Sequence, residues 1–286
     1  MNEIIELNFT VPPPKPDYDA TGALKFIESA GTRMNVAAGK TIFVENEKSN
    51  PLLLQQDKMY FLMDGEIDLT VNKKLAGVVR HGEFFGEMAL ITRMPRTATA
   101  TARTDCHLYS LNRAQLQTAL QSSPEFGLLL MSMMITRLRN TIALLSARGK
   151  LSRVTELKDS AVFDRKFLDK LVDEFDTSTR MRFPQDKVIV QEGQAGVLMY
   201  VVLDGCVEIT IKNKTVGEIG PGGMFGEMAL ITNEERLASA IAKTDCVLLA
   251  INRNVFLDLI KANPKFAIAL LGAVGDRARF MSSQLA

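Results

Sequence analysis

Two stretches of the chain carry the same rhythm of apolar and polar positions. They are MYFLMDGEIDLTV at Met59–Val71 and MYVVLDGCVEITI at Met199–Ile211, each an apolar run, an Asp-Gly pair and an alternating run. Alternation predicts strands and Asp-Gly predicts turns between them. From about Met34 to Leu111, and again from about Met181 to Ile251, short runs of this kind follow one another between Gly, Asp and Asn turns. Each region is therefore predicted to be an antiparallel roll or barrel of short strands. The pattern then changes to helical period. Ser123-Pro124 and Asn263-Pro264 each present an N-cap residue followed by Pro at the first helical position. In the first closing helix Leu128, Met131, Ile135, Leu138, Ile142 and Leu145 recur at steps of three and four, the a/d spacing of a helix seam. In the second, the aligned residues are Ile268, Leu271, Gly275, Ala278, Ser282 and Leu285, a seam that thins toward its end. At the N-terminus Ile5, Leu7, Phe9 and Val11 alternate with polar residues and predict one short strand.

The likeness of the two halves is a duplication. FGEMALIT stands at Phe85–Thr92 and again, unchanged, at Phe225–Thr232, an offset of 140 that also places Arg96 on Arg236 and Thr104-Asp105-Cys106 on Thr244-Asp245-Cys246. The expected organisation is an arm at 1–20, a first domain at 21–148, a linker at 149–160 and a second domain at 161–286, about two domains in 286 residues. Repeat one carries about seven extra residues between Gly39 and Met59, including SNPLLLQ.

Composition narrows the function. Lys and Arg (34) nearly balance Asp and Glu (33), so no general attraction to nucleic acid or anionic membrane is expected. The start MNEIIELNFTVPPPKP has neither a basic region nor an apolar core of a signal peptide, and no apolar run is expected to reach the length needed to cross a bilayer, so a cytoplasmic protein is expected. Cys106 and Cys246 are aligned and Cys206 stands alone, which suits core thiols better than disulfides or metal ligands. With only His81 and His107 there is little imidazole for catalysis, and nothing in the chain forms a catalytic dyad or a zinc spacing. Gly39-Lys40-Thr41 ends like a P-loop but lacks the earlier Gly, which is Met34.

The duplicated motif carries the chemistry. GEFFGEMAL predicts a tight Gly turn opening a short helix at Met88-Ala89-Leu90, where backbone N–H groups make a small anion site. Nine residues after Glu87 comes Arg96, whose planar fork suits a phosphate, while the Glu87 carboxylate accepts hydrogen bonds from sugar hydroxyls. Donors, one Arg and one acceptor together suit a phosphorylated sugar.

FGEMALITRMPRTATA at Phe85–Ala100 resembles the phosphate-binding cassette of the cyclic nucleotide-binding domain family, and the SPEF helix start resembles bacterial relatives of the cyclic AMP receptor protein. The resemblance covers nearly the whole chain after residue 20. It implies a mainly β, α+β fold of two tandem jelly-roll-type β-rolls flanked by helices, with a cyclic nucleotide, cyclic AMP slightly ahead of cyclic GMP, as ligand and no other cofactor. It places the ribose 2′-hydroxyl on Glu87, the cyclic phosphate on Arg96 and the backbone of Gly86, Met88 and Ala89, and a further hydroxyl contact on Thr97. In repeat two the matching positions are Gly226, Glu227, Met228, Ala229 and Arg236, but Pro95 becomes Glu235, Thr97 becomes Leu237, and Glu234 brings another carboxylate. Those carboxylates are expected to lower the potential an anionic ligand meets, so repeat one is expected to be the better site. The competing reading of repeat two is a Glu227–Arg236 pair that fills an empty cradle and only holds the turn together.

The chain ends after the second closing helix without a DNA-reading module, so DNA is not an expected partner and output is expected through an effector protein or self-assembly. The stronger first seam predicts a homodimer through Leu128, Met131, Ile135, Leu138, Ile142 and Leu145; an internal pairing of the two closing helices is the other arrangement the duplication allows. A non-enzymatic sensor is expected, and a ligand-free scaffold of two rolls is the competing reading.

Overall fold

A computed structural model describes residues 20–48, 57–151, 157–158, 161–174 and 179–284. The expected N-terminal strand and the SNPLLLQ segment lie outside the described residues.

Repeat one begins with α1 (Ala20–Ala30), followed by strands β1 (Thr32–Val36), β2 (Thr41–Phe43), β3 (Lys58–Asp64), β4 (Ile67–Val71), β5 (Lys74–Val79) and β6 (Phe84–Phe85). The short helix α2 (Glu87–Thr92) precedes β7 (Thr99–Ala102) and β8 (Cys106–Asn112), and α3 (Arg113–Ser122) and α4 (Pro124–Ala147) close the repeat. Repeat two follows the same plan after β9 (Leu157–Lys158) and α5 (Arg165–Glu174). Its strands are β10 (Arg180–Phe183), β11 (Val188–Val190), β12 (Leu198–Asp204), β13 (Val207–Ile211), β14 (Lys214–Ile219) and β15 (Met224–Phe225). Then come α6 (Glu227–Thr232), β16 (Ser239–Ala242), β17 (Cys246–Asn252), α7 (Arg253–Ala262) and α8 (Pro264–Ser283). From β2 to β11 the offset is 147 and from β3 to β12 it is 140, which locates the seven extra residues between β2 and β3. Among the described residues every helix belongs to one of these two plans, and none forms a separate DNA-reading module.

Each roll has two sheets. In the first the orders are β1-β8-β3-β6 and β2-β7-β4-β5; in the second they are β10-β17-β12-β15 and β11-β16-β13-β14-β9, a mainly antiparallel jelly-roll arrangement in both. The exception is β9, which pairs parallel to β14 through Leu157 and Lys158. The expected linker thus contributes a strand to the second roll.

The Asp-Gly pairs are corners rather than hairpin turns. β3 and β4 lie in different sheets, and the chain crosses between them at Gly65, with φ +95. A side chain at Gly65 would collide with the Asp105 backbone and the Cys106 sulfur. The hairpin turn comes later, between β4 and β5, where Asn72 and Lys73 both take positive φ, the backbone that a two-residue turn needs to match strand twist.

Strand β3 is buried along four consecutive residues rather than on alternate ones, because both of its faces are covered. Tyr60 and Leu62 face the roll interior, where Tyr60 stacks on Phe85 at 5.1 Å between ring centroids. Phe61 packs on Phe84 at 4.8 Å, and Phe84 meets Phe126 of α4 edge-on at 5.8 Å. In the second repeat Tyr200 stacks on Phe225 at 5.2 Å in the same way. The three cysteines are free thiols; Cys106 and Cys246 are buried and Cys206 half-buried.

The chain divides into two compact units, Met1–Met133 and Met134–Ala286. The boundary between these packing units falls inside α4, because the second half of α4 packs in the second unit. This changes the meaning of the seam. None of Leu128, Met131, Ile135, Leu138, Ile142 and Leu145 is more than 5% exposed. The stripe expected to dock a second copy is already core, and a homodimer through it would have to uncover these residues. The stretch Glu125–Ala147 is also long and apolar enough to cross a bilayer by length and composition, contrary to the expectation that no run would be. About half of its most apolar window is buried inside the fold, including Leu130, Met131, Met134 and Ile135, all at or below 1% exposure.

Candidate functional site

The cassette begins where β6 or β15 ends. Gly86 and Gly226 take φ +72 and +86 as N-caps of α2 and α6, a conformation that favours Gly. A side chain at Gly86 would sit 2.9 Å from Arg96 Nη1, so the same Gly that makes the turn also admits the guanidinium. Each short helix then buries its Glu and its Ala: Glu87 and Glu227 are 2% and 0% exposed, Ala89 and Ala229 both 2%.

The two Arg residues are held alike. Arg96 donates through Nη1 to the Gly86 carbonyl at 2.7 Å and through Nη2 to the Lys58 carbonyl at 2.9 Å. Arg236 donates through Nη1 to Gly226 at 2.7 Å and through Nη2 to the Leu198 carbonyl. Burial lowers the Arg236 pKa from its ordinary value, with Tyr200 and Glu227 opposing that shift; a largely buried cation of this kind favours an anionic partner.

The surroundings of the two differ. In repeat one Asp57 Oδ1 lies 4.0 Å from Arg96 Nη2, and the Phe43 ring lies beneath the guanidinium at 4.3 Å. In repeat two the corresponding residues are Val197, which is 73% exposed, and Val190. Val190 lines a cavity of about 120 Å³ in the second unit. The sequence-predicted residues Gly226, Glu227, Met228, Ala229 and Arg236 all line it, and so does Leu237. In repeat one Gly86, Glu87, Ala89 and Arg96 gather around the same turn, Met88 is half-buried, and Thr97 is exposed.

Two features of the second cassette depart from expectation. Glu227 pairs with Arg277 of α8 rather than with Arg236: Arg277 Nη1 lies 2.6 Å from Glu227 Oε1, while its Nη2 donates to the Met224 carbonyl at 2.5 Å. The other oxygen, Glu227 Oε2, is buried and has no hydrogen-bond partner. A buried acceptor left unsatisfied on a cavity wall calls for a donor from a ligand or an ordered water. Second, Glu234 does not repel an anion alone, because Arg139 Nε of α4 lies 2.7 Å from its Oε2 and Arg139 Nη2 donates to the Glu235 carbonyl at 2.8 Å. The expected loss of positive potential is thereby offset locally.

Arg277 and Arg139 escaped the motif reading because both lie on closing helices, far in sequence from the cassette. A signal for Arg277 existed: the 140 offset places it on Arg137, so both closing helices carry Arg at that position. His81 is exposed, with its ring nitrogen on the Met63 carbonyl, and takes no part in the cassette hydrogen bonds described above.

A model of the cyclic nucleotide-binding domain matches residues 33–123 and 180–263, the two rolls with their cassettes. The chain is similar to the regulatory domain of Toxoplasma gondii PKA in a co-crystal structure with cAMP, with 22% identity, coverage of 91% of this chain and 88% of that one, and a TM-score of 0.32. It is similar to the regulatory subunit of a cAMP-independent protein kinase A from Trypanosoma brucei, with 19% identity, coverage of 90% and 91%, and a TM-score of 0.31. The catabolite activator protein of Thermus thermophilus is 33% identical over 44% of this chain and 62% of that one, with a TM-score of 0.39.

Proposed function

The chain belongs to the cyclic nucleotide-binding domain family, whose model matches it over both repeats, and from that membership we propose that it is a non-enzymatic, cytoplasmic sensor of a cyclic nucleotide. One observation supports a ligand most directly. The buried carboxylate of Glu227, with one oxygen unpartnered, and the buried guanidinium of Arg236 line the same cavity. That pair suits a molecule with a hydroxyl donor and an anionic phosphate on one small ring. The reading gives the ribose hydroxyl to Glu227 and the phosphate to Arg236 with the backbone of Gly226, Met228 and Ala229. In repeat one the same roles fall to Glu87, Arg96, Gly86, Met88 and Ala89, with Thr97 at the rim. Repeat two becomes the better-supported site, since Asp57 competes for Arg96 whereas Glu234 is matched by Arg139. Cyclic AMP is the favoured ligand, and the output runs to an effector protein through the closing helices. A homodimer through the α4 seam is the weaker route, because it needs that helix released first.

Calorimetric titration of cyclic AMP and cyclic GMP into the full chain, beside Arg96→Ala and Arg236→Ala variants, tests this. Each substitution is expected to abolish one set of sites or to weaken it by about 10- to 150-fold, the worth of a charged hydrogen bond of roughly 1.5–3 kcal/mol. Absence of heat and of any thermal shift with both nucleotides would leave the scaffold reading standing.

A further inference from the structure

The second half of α4 does more than cover the second roll. Leu138 and Ile142, at 2% and 5% exposure, line the same cavity as Glu227 and Arg236. They are held over it at two places. Toward one end Arg139 meets Glu234 and the Glu235 carbonyl, directly after the cassette helix α6. Toward the other, Lys212 Nζ in the β13–β14 turn donates to Ser146 Oγ at 2.5 Å. Arg139 is only 18% exposed, and burial lowers its pKa while Glu234 and Glu235 oppose that. A guanidinium taken this far out of water is retained where its partners fix a geometry.

The ion pair is particular to repeat two. At the position of Glu234 the first cassette has Met94, which cannot form one, whereas the Glu235 contact is to a backbone carbonyl that any residue offers. The divergence of the second cassette thus coincides with the point where α4 is fastened.

Resting on the reading that repeat two binds a cyclic nucleotide, we propose that the second half of α4 is a wall of that site. Arg139 acts as a positioning residue on Glu234 and Glu235, and Leu138 and Ile142 contact the bound ligand. The sugar and phosphate meet the polar side of the cavity at Glu227 and Arg236. The base meets an aliphatic side made by Leu138, Ile142 and Leu237, which offers dispersion contact and no hydrogen bond to a base edge.

The test uses the full chain carrying Arg96→Ala, so that only repeat two titrates with cyclic AMP. Arg139→Glu is expected to weaken binding at least tenfold, and adding Glu234→Arg to restore it to within about threefold. Ile142→Val, too mild to unfold the chain, is expected to weaken binding about two- to fivefold. In the Arg236→Ala background, where only repeat one titrates, the Ile142→Val change is expected to leave affinity unaltered. Hydrogen exchange over 134–147 should slow when cyclic AMP is added to the Arg96→Ala chain. If that chain is folded by circular dichroism yet binds no nucleotide, the reading of repeat two fails and the proposal falls with it. If it binds, but Arg139→Glu and Ile142→Val leave affinity unchanged or tighter, the proposal alone is overturned. Should Arg139→Glu unfold the chain, the Ile142→Val titration and the exchange measurement decide the matter between them.

Discussion

Glu227 and Arg277 form a buried pair, 1% and 12% exposed at their side chains, and such a pair is costly to break from one side. Arg277→Met leaves Glu227 in the core without its cation, and is expected to destabilise the chain by about 3–5 kcal/mol. Adding Glu227→Gln should return much of that, so thermal denaturation of the two singles and the double gives a large coupling term. A small coupling would mean that the pair contributes little to folding. Titration of neutral groups gives a second prediction at this scale. Burial raises the pKa of the Tyr60 and Tyr200 phenols, with Arg96 and Arg236 respectively opposing, and burial likewise raises that of the Cys106 thiol. Each folded pKa lies above the unfolded one, so their stabilising contribution is complete below the unfolded values and is lost as pH climbs through the folded ones. The urea midpoint is therefore expected to fall above about pH 8.5, where the unfolded chain first ionises its thiols. A midpoint that held flat to pH 10.5 would contradict the assignment.

At the scale of the element, pattern and packing agree where a local rule decides the structure and part where a neighbour decides it. The cassette turn was legible, since Gly followed by a short apolar helix has few alternatives, and Gly86 and Gly226 sit at positive φ as N-caps. The Asp-Gly corners were half legible: the chain does turn at Gly65 and Gly205, but the strands on either side join different sheets, which local sequence does not record. The difference has consequences for mutation. At Gly205 a side chain would meet the Asp245 backbone and the Cys246 sulfur, whereas at Gly39, also at positive φ, it would meet nothing within 4 Å. Gly39→Ala is then expected to cost about 1 kcal/mol, the backbone term alone. Gly205→Ala adds a collision with atoms that cannot move aside and is expected to cost at least about 3 kcal/mol. Chemical denaturation of the two variants compares them directly; equal losses would mean that the corner is not tightly packed. The pairing of Glu227 with Arg277 was not legible from the cassette, because the partner comes from a helix fifty residues later whose face no local pattern specifies.

For the molecule as a whole, duplication was plain in the sequence but the division into units was not. Heptad spacing along α4 says that a stripe is buried without saying by what, and the repeat boundary suggested that the whole helix served the first roll. Packing instead assigns Met134 onward to the second unit, where Leu138 and Ile142 line the cavity and Arg139 holds Glu234. A fragment cut at the repeat boundary, 149–286, would lose Leu138, Ile142 and Leu145, all nearly or fully buried. At roughly 1.5–3 kcal/mol for each buried aliphatic side chain, that removes about 5–9 kcal/mol, as much as the entire stability of many domains. A fragment beginning at 134 keeps those contacts. The expected outcome is that 134–286 gives a cooperative thermal transition while 149–286 gives a weak or absent one and binds a hydrophobic dye. If the shorter fragment melts as sharply and at the same temperature, the second half of α4 contributes nothing to the second roll, and the wall proposed for the repeat-two site would have to be found elsewhere.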